Sequence, residues 1–144
     1  EEIAKTFKFT NNNTVDWSKY TQDQLLSMVK KEPWYAEQTY YKGLVNNFLI
    51  LDQGTAPYPR QLIIYDLTAK KEVLFDAYSV PLDITSNAVA YWNVTNQKIT
   101  AENCPDSVQW IKEGLGAEIE SHVSFDFLTL KPKELGQTRC RPTQ

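Results

Sequence analysis

The chain has 144 residues, 42% of them hydrophobic and 23% charged, with 15 Lys and Arg against 18 Asp and Glu for a net charge of −3. That length predicts a single globular domain, residues 1–144, with enough apolar side chains to build its own core. The slightly acidic balance excludes a phosphate-steered nucleic-acid binder, five Gly and seven Pro exclude collagen-like or disordered chains, and apolar runs as short as Phe48–Leu51 and Leu62–Tyr65 exclude a membrane span.

Residues 1–20 are polar and Asn-rich, anchored by Phe7, Phe9 and Trp17. The alternation of Lys5–Thr10 predicts a short edge strand, and Asn11–Asn13 a turn. A helix is predicted over 21–31. Thr21-x-x-Gln24 is a capping box, Tyr20 and Leu25 take the two positions of a hydrophobic staple, and Leu25, Leu26, Met28 and Val29 share one face. Pro33 stops it. Residues 34–43, with Trp34, Tyr35, Tyr40 and Tyr41, fit a short helix or a strand equally, and Gly43 ends them.

From Leu44 onward the pattern is β. Leu44–Asp52 reads as one strand interrupted at Asn46-Asn47, Gln53–Pro59 as a loop, and Gln61–Leu67 as a central strand. Thr68-Ala69-Lys70 predicts a hairpin turn with Lys71–Tyr78 returning and Pro81 blocking continuation. Ala88–Val94 is a further strand. A second helix is expected at about 106–113, with Asp106-x-x-Gln109 as a capping pattern, Val108, Trp110 and Ile111 as its contacts and Gly114 after its end. Ala117–Leu130 is the longest strand candidate. Ile119, Val123, Phe125 and Phe127 share one face with Ser121, and Glu118, Glu120, His122, Ser124 and Asp126 share a solvated one. The apolar register flips near Leu128 and Leu130, as a bulge or bend would make it. A last short strand is expected through Leu135–Cys140. Tyr65–Lys70 resembles Phe125–Lys131 with one inserted residue, as two similar hairpins would. The fold expected is α+β: an antiparallel sheet of five to seven strands packed by one or two short helices, with a β-sandwich or small barrel as the alternative.

Cys104 and Cys140 admit one pairing, joining the C-terminal strand to the start of the second helix. Neither lies in a CxxC pair, and with one histidine no zinc set can form. A disulfide implies a periplasmic or extracellular location. The polar start Glu1-Glu2-Ile3, lacking an initiator Met, is what a removed leader leaves.

Chemical motifs are sparse. His122 is the single histidine, on a polar strand face, so no Ser–His–Asp or Cys–His arrangement suggests itself. Glu120, His122 and Asp126 share a face and would need another strand to complete a metal shell. Asp52 and Asp66 end adjacent strands and are the best carboxylate pair for glycoside hydrolysis. Gly114-Leu115-Gly116 follows a helix, so it reads as a cap rather than a phosphate cradle. Two sequons, at Asn12 and Asn93, are no more than such a composition yields.

The aromatics stand out, with four Trp and eight Tyr. Trp34, Tyr35, Tyr40, Tyr41, Tyr58 and Arg60 lie in segments rich in Pro, Gly and polar residues. The proline-stiffened loop Gly54–Arg60 presents Tyr58 and Arg60. These residue types anchor protein interfaces and also stack on sugars. The expectation is an exported, non-enzymatic module that binds another protein, of the inhibitor or immunity type, with no cofactor, no metal and no nucleic acid. A small-ligand or carbohydrate-binding domain is the first alternative and a carboxylate-based hydrolase the second.

Overall fold

The computed structural model describes residues 15–29, 38–55 and 60–144. The expected edge strand at Lys5–Thr10 lies outside them. A 3-10 turn at Trp17–Lys19 leads into helix α1, Gln22–Val29. Its capping box forms as read: the Thr21 amide donates to Gln24 Oε1 at 2.8 Å, and the Gln24 amide to Thr21 Oγ1 at 3.1 Å.

Seven antiparallel strands follow in one sheet, paired in chain order: β1 Thr39–Val45, β2 Phe48–Gln53, β3 Arg60–Asp66, β4 Lys71–Ile84, β5 Ala88–Val94, β6 Gly116–Asp126 and β7 Lys131–Thr143. Helix α2, Ser107–Lys112, interrupts the run between β5 and β6. The sheet is open, with β1 and β7 at its edges, so the α+β reading holds.

Several boundaries differ from expectation, each for a local reason. Asn46-Asn47 is a hairpin turn, not a blemish in one strand, because Asn46 adopts φ 54°, the left-handed conformation a two-residue hairpin requires. Strand β4 runs through Pro81. The proline sits between Ser79 and Asp83, where pairing with β5 skips and the ladder does not need its missing amide hydrogen. Strand β6 ends at Asp126, and Leu128 and Leu130 belong to the following turn. The cap expected at Asp106 makes no side-chain bond, since Gln109 reaches Glu113 instead at 3.0 Å. Val108 and Ile111 are exposed. Gly114, at φ 84°, does end the helix, donating to the Ile111 carbonyl.

Strand β4 belongs to two halves of the sheet. Its first part pairs with β3 and its second with β5. One apolar cluster joins Phe48, Ile50, Leu62 and Ile64 to Val89, Tyr91, Val123 and Phe125, so the sheet coils until its halves share a core. The coil brings β1 back toward the end of β4, where a Cβ on Gly43 would stand 3.0 Å from Ile84 Cδ1. The opposite face of β2 and β3 (Leu49, Leu51, Ile63 and Tyr65) is covered by Leu25 and Val29 of α1. Burial on both sides explains why these two strands read as continuous apolar runs.

Candidate functional site

Of the six candidate anchors, Trp34, Tyr35 and Tyr58 lie outside the described residues. Tyr40 and Tyr41 are neighbours on β1 and so point to opposite faces. Tyr41 packs against the α1 cluster, while Tyr40 stays 50% exposed. Arg60 opens β3, and its Nε donates to both carboxylate oxygens of Asp52, at 2.7 and 2.9 Å. Its Nη2 reaches the Gly54 carbonyl at 3.4 Å, and its guanidinium lies 5.8 Å from the centroid of the Tyr40 ring. Lys42 stands 3.8 Å from Asp52. Asp52 is 4% exposed, and its hydrogen bond raises the pKa of the Arg60 guanidinium. Burial, reinforced by Asp52, pushes the nearby Tyr78 phenol up to about 12. Tyr40 and Arg60 therefore converge, fixed from beneath by a buried carboxylate, whereas Tyr41 leaves the group. Asp52, expected only as half of a carboxylate pair, and Lys42, which was not foreseen, complete the cluster. Alternation along β2 places Asp52 beside Ile50 on the buried face, and that was the available clue.

Asp52 and Asp66 do not meet. Asp66 pairs with Phe48, four strand residues from Asp52, or roughly 13 Å. Its Oδ1 accepts from Asn47 Nδ2 at 2.7 Å and from the Thr68 and Ala69 amides at 3.0 and 3.1 Å. A hydrolytic pair stands about 5–9.5 Å apart.

The polar stripe of β6 departs most from expectation. Glu120 is fully buried, not solvated. It accepts from Ser79 Oγ at 2.5 Å, Arg139 Nε at 2.6 Å and Arg141 Nη1 at 3.4 Å. Burial alone would raise its pKa. The hydrogen bonds from Ser79 and Arg139 and the charges of both arginines outweigh that, holding it below the ordinary glutamate value. A carboxylate so engaged is a poor base and a poor metal ligand. Arg139 also spans to the Val80 carbonyl at 2.7 Å, and its guanidinium lies 4.3 Å from the Trp92 centroid. His122 stacks on Trp92 at 4.5 Å and bonds Gln137 at 3.0 Å. Asp126 Oδ1 accepts from the Leu128 and Thr129 amides. Glu120, His122 and Asp126 thus have separate partners, and no cluster of three metal-ligating side chains occurs among the described residues.

Cys104 and Cys140 form the disulfide, with Cα atoms 5.6 Å apart, where β7 passes the segment before α2. Asn93 donates its Nδ2 to Asp76 at 3.0 Å and to the Ala77 carbonyl at 2.8 Å, so its amide is engaged rather than offered to a glycan. Among the described residues no helix is long and apolar enough to cross a membrane. No protein-family model matches the chain, and no curated protein or solved structure was found similar to it.

Proposed function

We propose that this is a non-enzymatic module that binds another protein in an oxidising, periplasmic or extracellular setting, using Tyr40 and Arg60 as its anchor. The observation that supports the reading is the pairing of a half-exposed Tyr40 with an Arg60 clamped on buried Asp52. Tyr and Arg are the residue types that dominate interface energies, and a pair already held in place loses little side-chain entropy on binding. The disulfide supports the compartment.

The test is capture from a periplasmic or secreted fraction by the wild type and by Tyr40→Ala. A hot-spot tyrosine is worth about 2 kcal/mol or more, so the variant binds the captured partner at least ~20-fold more weakly while its Tm stays unchanged. Equal capture by both proteins, or capture by neither, overturns the proposal.

A further inference from the structure

A cavity of about 400 Å³ opens where the Trp17–Lys19 turn meets the β1–β2 and β3–β4 turns. We propose that it is a binding site for an uncharged polyhydroxylated ligand, a mono- or disaccharide. Its volume falls within the range of small-molecule sites, about 300–1,000 Å³. Trp17 and Leu44 form an apolar wall, and Asp16, Asn46, Asn47 and Thr68 bring hydrogen-bonding groups to the rim.

The rim is built rather than loose. Asn47 Nδ2 donates to Asp66 at 2.7 Å and the Leu67 amide donates to the Asn47 carbonyl at 2.8 Å, so the two hairpin turns are locked together. Those bonds fix Asn47 in the lining of the cavity. Ser18 donates through both its amide and its hydroxyl to Asp16 Oδ1, which fixes the Asp16 carboxylate at the rim. The Trp17 ring is steadied by Tyr20, 5.7 Å away between centroids, and by the α1 cluster.

The lining selects the ligand. Among the described residues no Lys or Arg lines it, so nothing in that lining favours an anion. Among the described residues Trp17 is the one aromatic ring of the lining, too few to surround an organic cation. Amide and carboxylate side chains in a lining shared with one indole suit the vicinal hydroxyls and C–H face of a pyranose ring. The site is independent of Tyr40 and Arg60, so neither proposal stands or falls with the other.

Tryptophan emission and calorimetry are followed while methyl glucoside, galactoside, mannoside and N-acetylglucosaminide, maltose and cellobiose are added to about 50 mM, with inorganic phosphate and tetramethylammonium as controls. At least one sugar binds saturably and both controls are silent. Asn46→Gly keeps the positive φ, and Asp16→Ser keeps a capping side chain. Each weakens binding about tenfold, the loss of roughly one hydrogen bond, without lowering Tm. Tyr40→Ala binds the sugar as the wild type does. Silence from every sugar, a saturable response to tetramethylammonium or phosphate instead, or sugar binding indifferent to both rim variants overturns the site.

Discussion

Replacing Glu120 with Gln is the sharpest test of how the second half of the sheet is held. The substitution preserves volume and an acceptor for Ser79, but removes the buried negative charge that faces Arg139 and Arg141. Breaking a fully buried ion pair costs about 3–5 kcal/mol. Here the two arginine side chains remain 32% and 29% exposed, so water recovers part of that and about 2–3 kcal/mol is expected. Against a total stability of about 5–15 kcal/mol the loss is large. At ~3–4 °C per kcal/mol for a chain of this size, Tm falls by about 6–12 °C. The pH dependence supplies a second readout. Because the folded pKa of Glu120 lies below the unfolded one, its contribution is complete above the ordinary glutamate range and fades as pH falls through the folded value. Urea unfolding at pH 7 and at steps down through the acid range, for wild type and Glu120→Gln, reads both effects. The gap between the two proteins is widest at neutral pH and narrows with acid. A gap under about 0.5 kcal/mol at pH 7, or one that does not narrow, refutes the account.

Three further outcomes are expected. Cys104 and Cys140 take up a thiol reagent under denaturing conditions only after reduction, seen by intact mass. Reduction lowers stability by about 4 kcal/mol for a closure of 36 residues, seen in urea unfolding. Leu130 holds φ 59° in the β6–β7 turn, and Leu130→Gly relieves that conformation and raises stability by about 0.5–1 kcal/mol, whereas Leu130→Ala does not. Thr21→Ala removes one arm of the capping box and costs about 1 kcal/mol, measurable by calorimetry.

What was legible in the sequence follows from how local its causes are. The capping box at Thr21 and Gln24, strand β5 and the central strand β3 each depend on neighbours in sequence or on burial of both faces. The two similar hairpins were visible too, and they align without the inserted residue. Asp66 and Asp126 each cap two amides with Oδ1 and accept a third at the carbonyl, from Lys70 and Leu130, both at positive φ. Glu120 was not legible, because its burial depends on register far from the turn. Val123 pairs with Glu134, but Ser121 pairs with Thr138, so β7 carries two extra residues around Gly136, at φ 89°. Counting back from the turn without them sets Glu120 opposite Gln137 instead of Arg139. The spacing Arg139-x-Arg141 opposite Glu118-x-Glu120 was the available clue, and only the bulge brings it into line.

That same bulge explains how an edge strand can hold still. Three consecutive residues fasten β7 on both faces: Cys140 joins Cys104 on one, and Arg139 and Arg141 grip Glu120 on the other. Lys131, Pro132, Lys133 and Pro142 discourage another chain from pairing along the open edge. Strand β4 carries the fastening across the molecule. Tyr78 turns toward Asp52 and Arg60 in the first half, while the next residue, Ser79, turns to Glu120 in the second. Among the described residues each half thus has one buried carboxylate, each carboxylate has an arginine from a neighbouring strand, and adjacent β4 residues reach both. The second half is fastened by the disulfide and the Glu120 cluster, whereas Tyr40 and the Trp17 cavity, the two surfaces proposed to bind, both lie on the first.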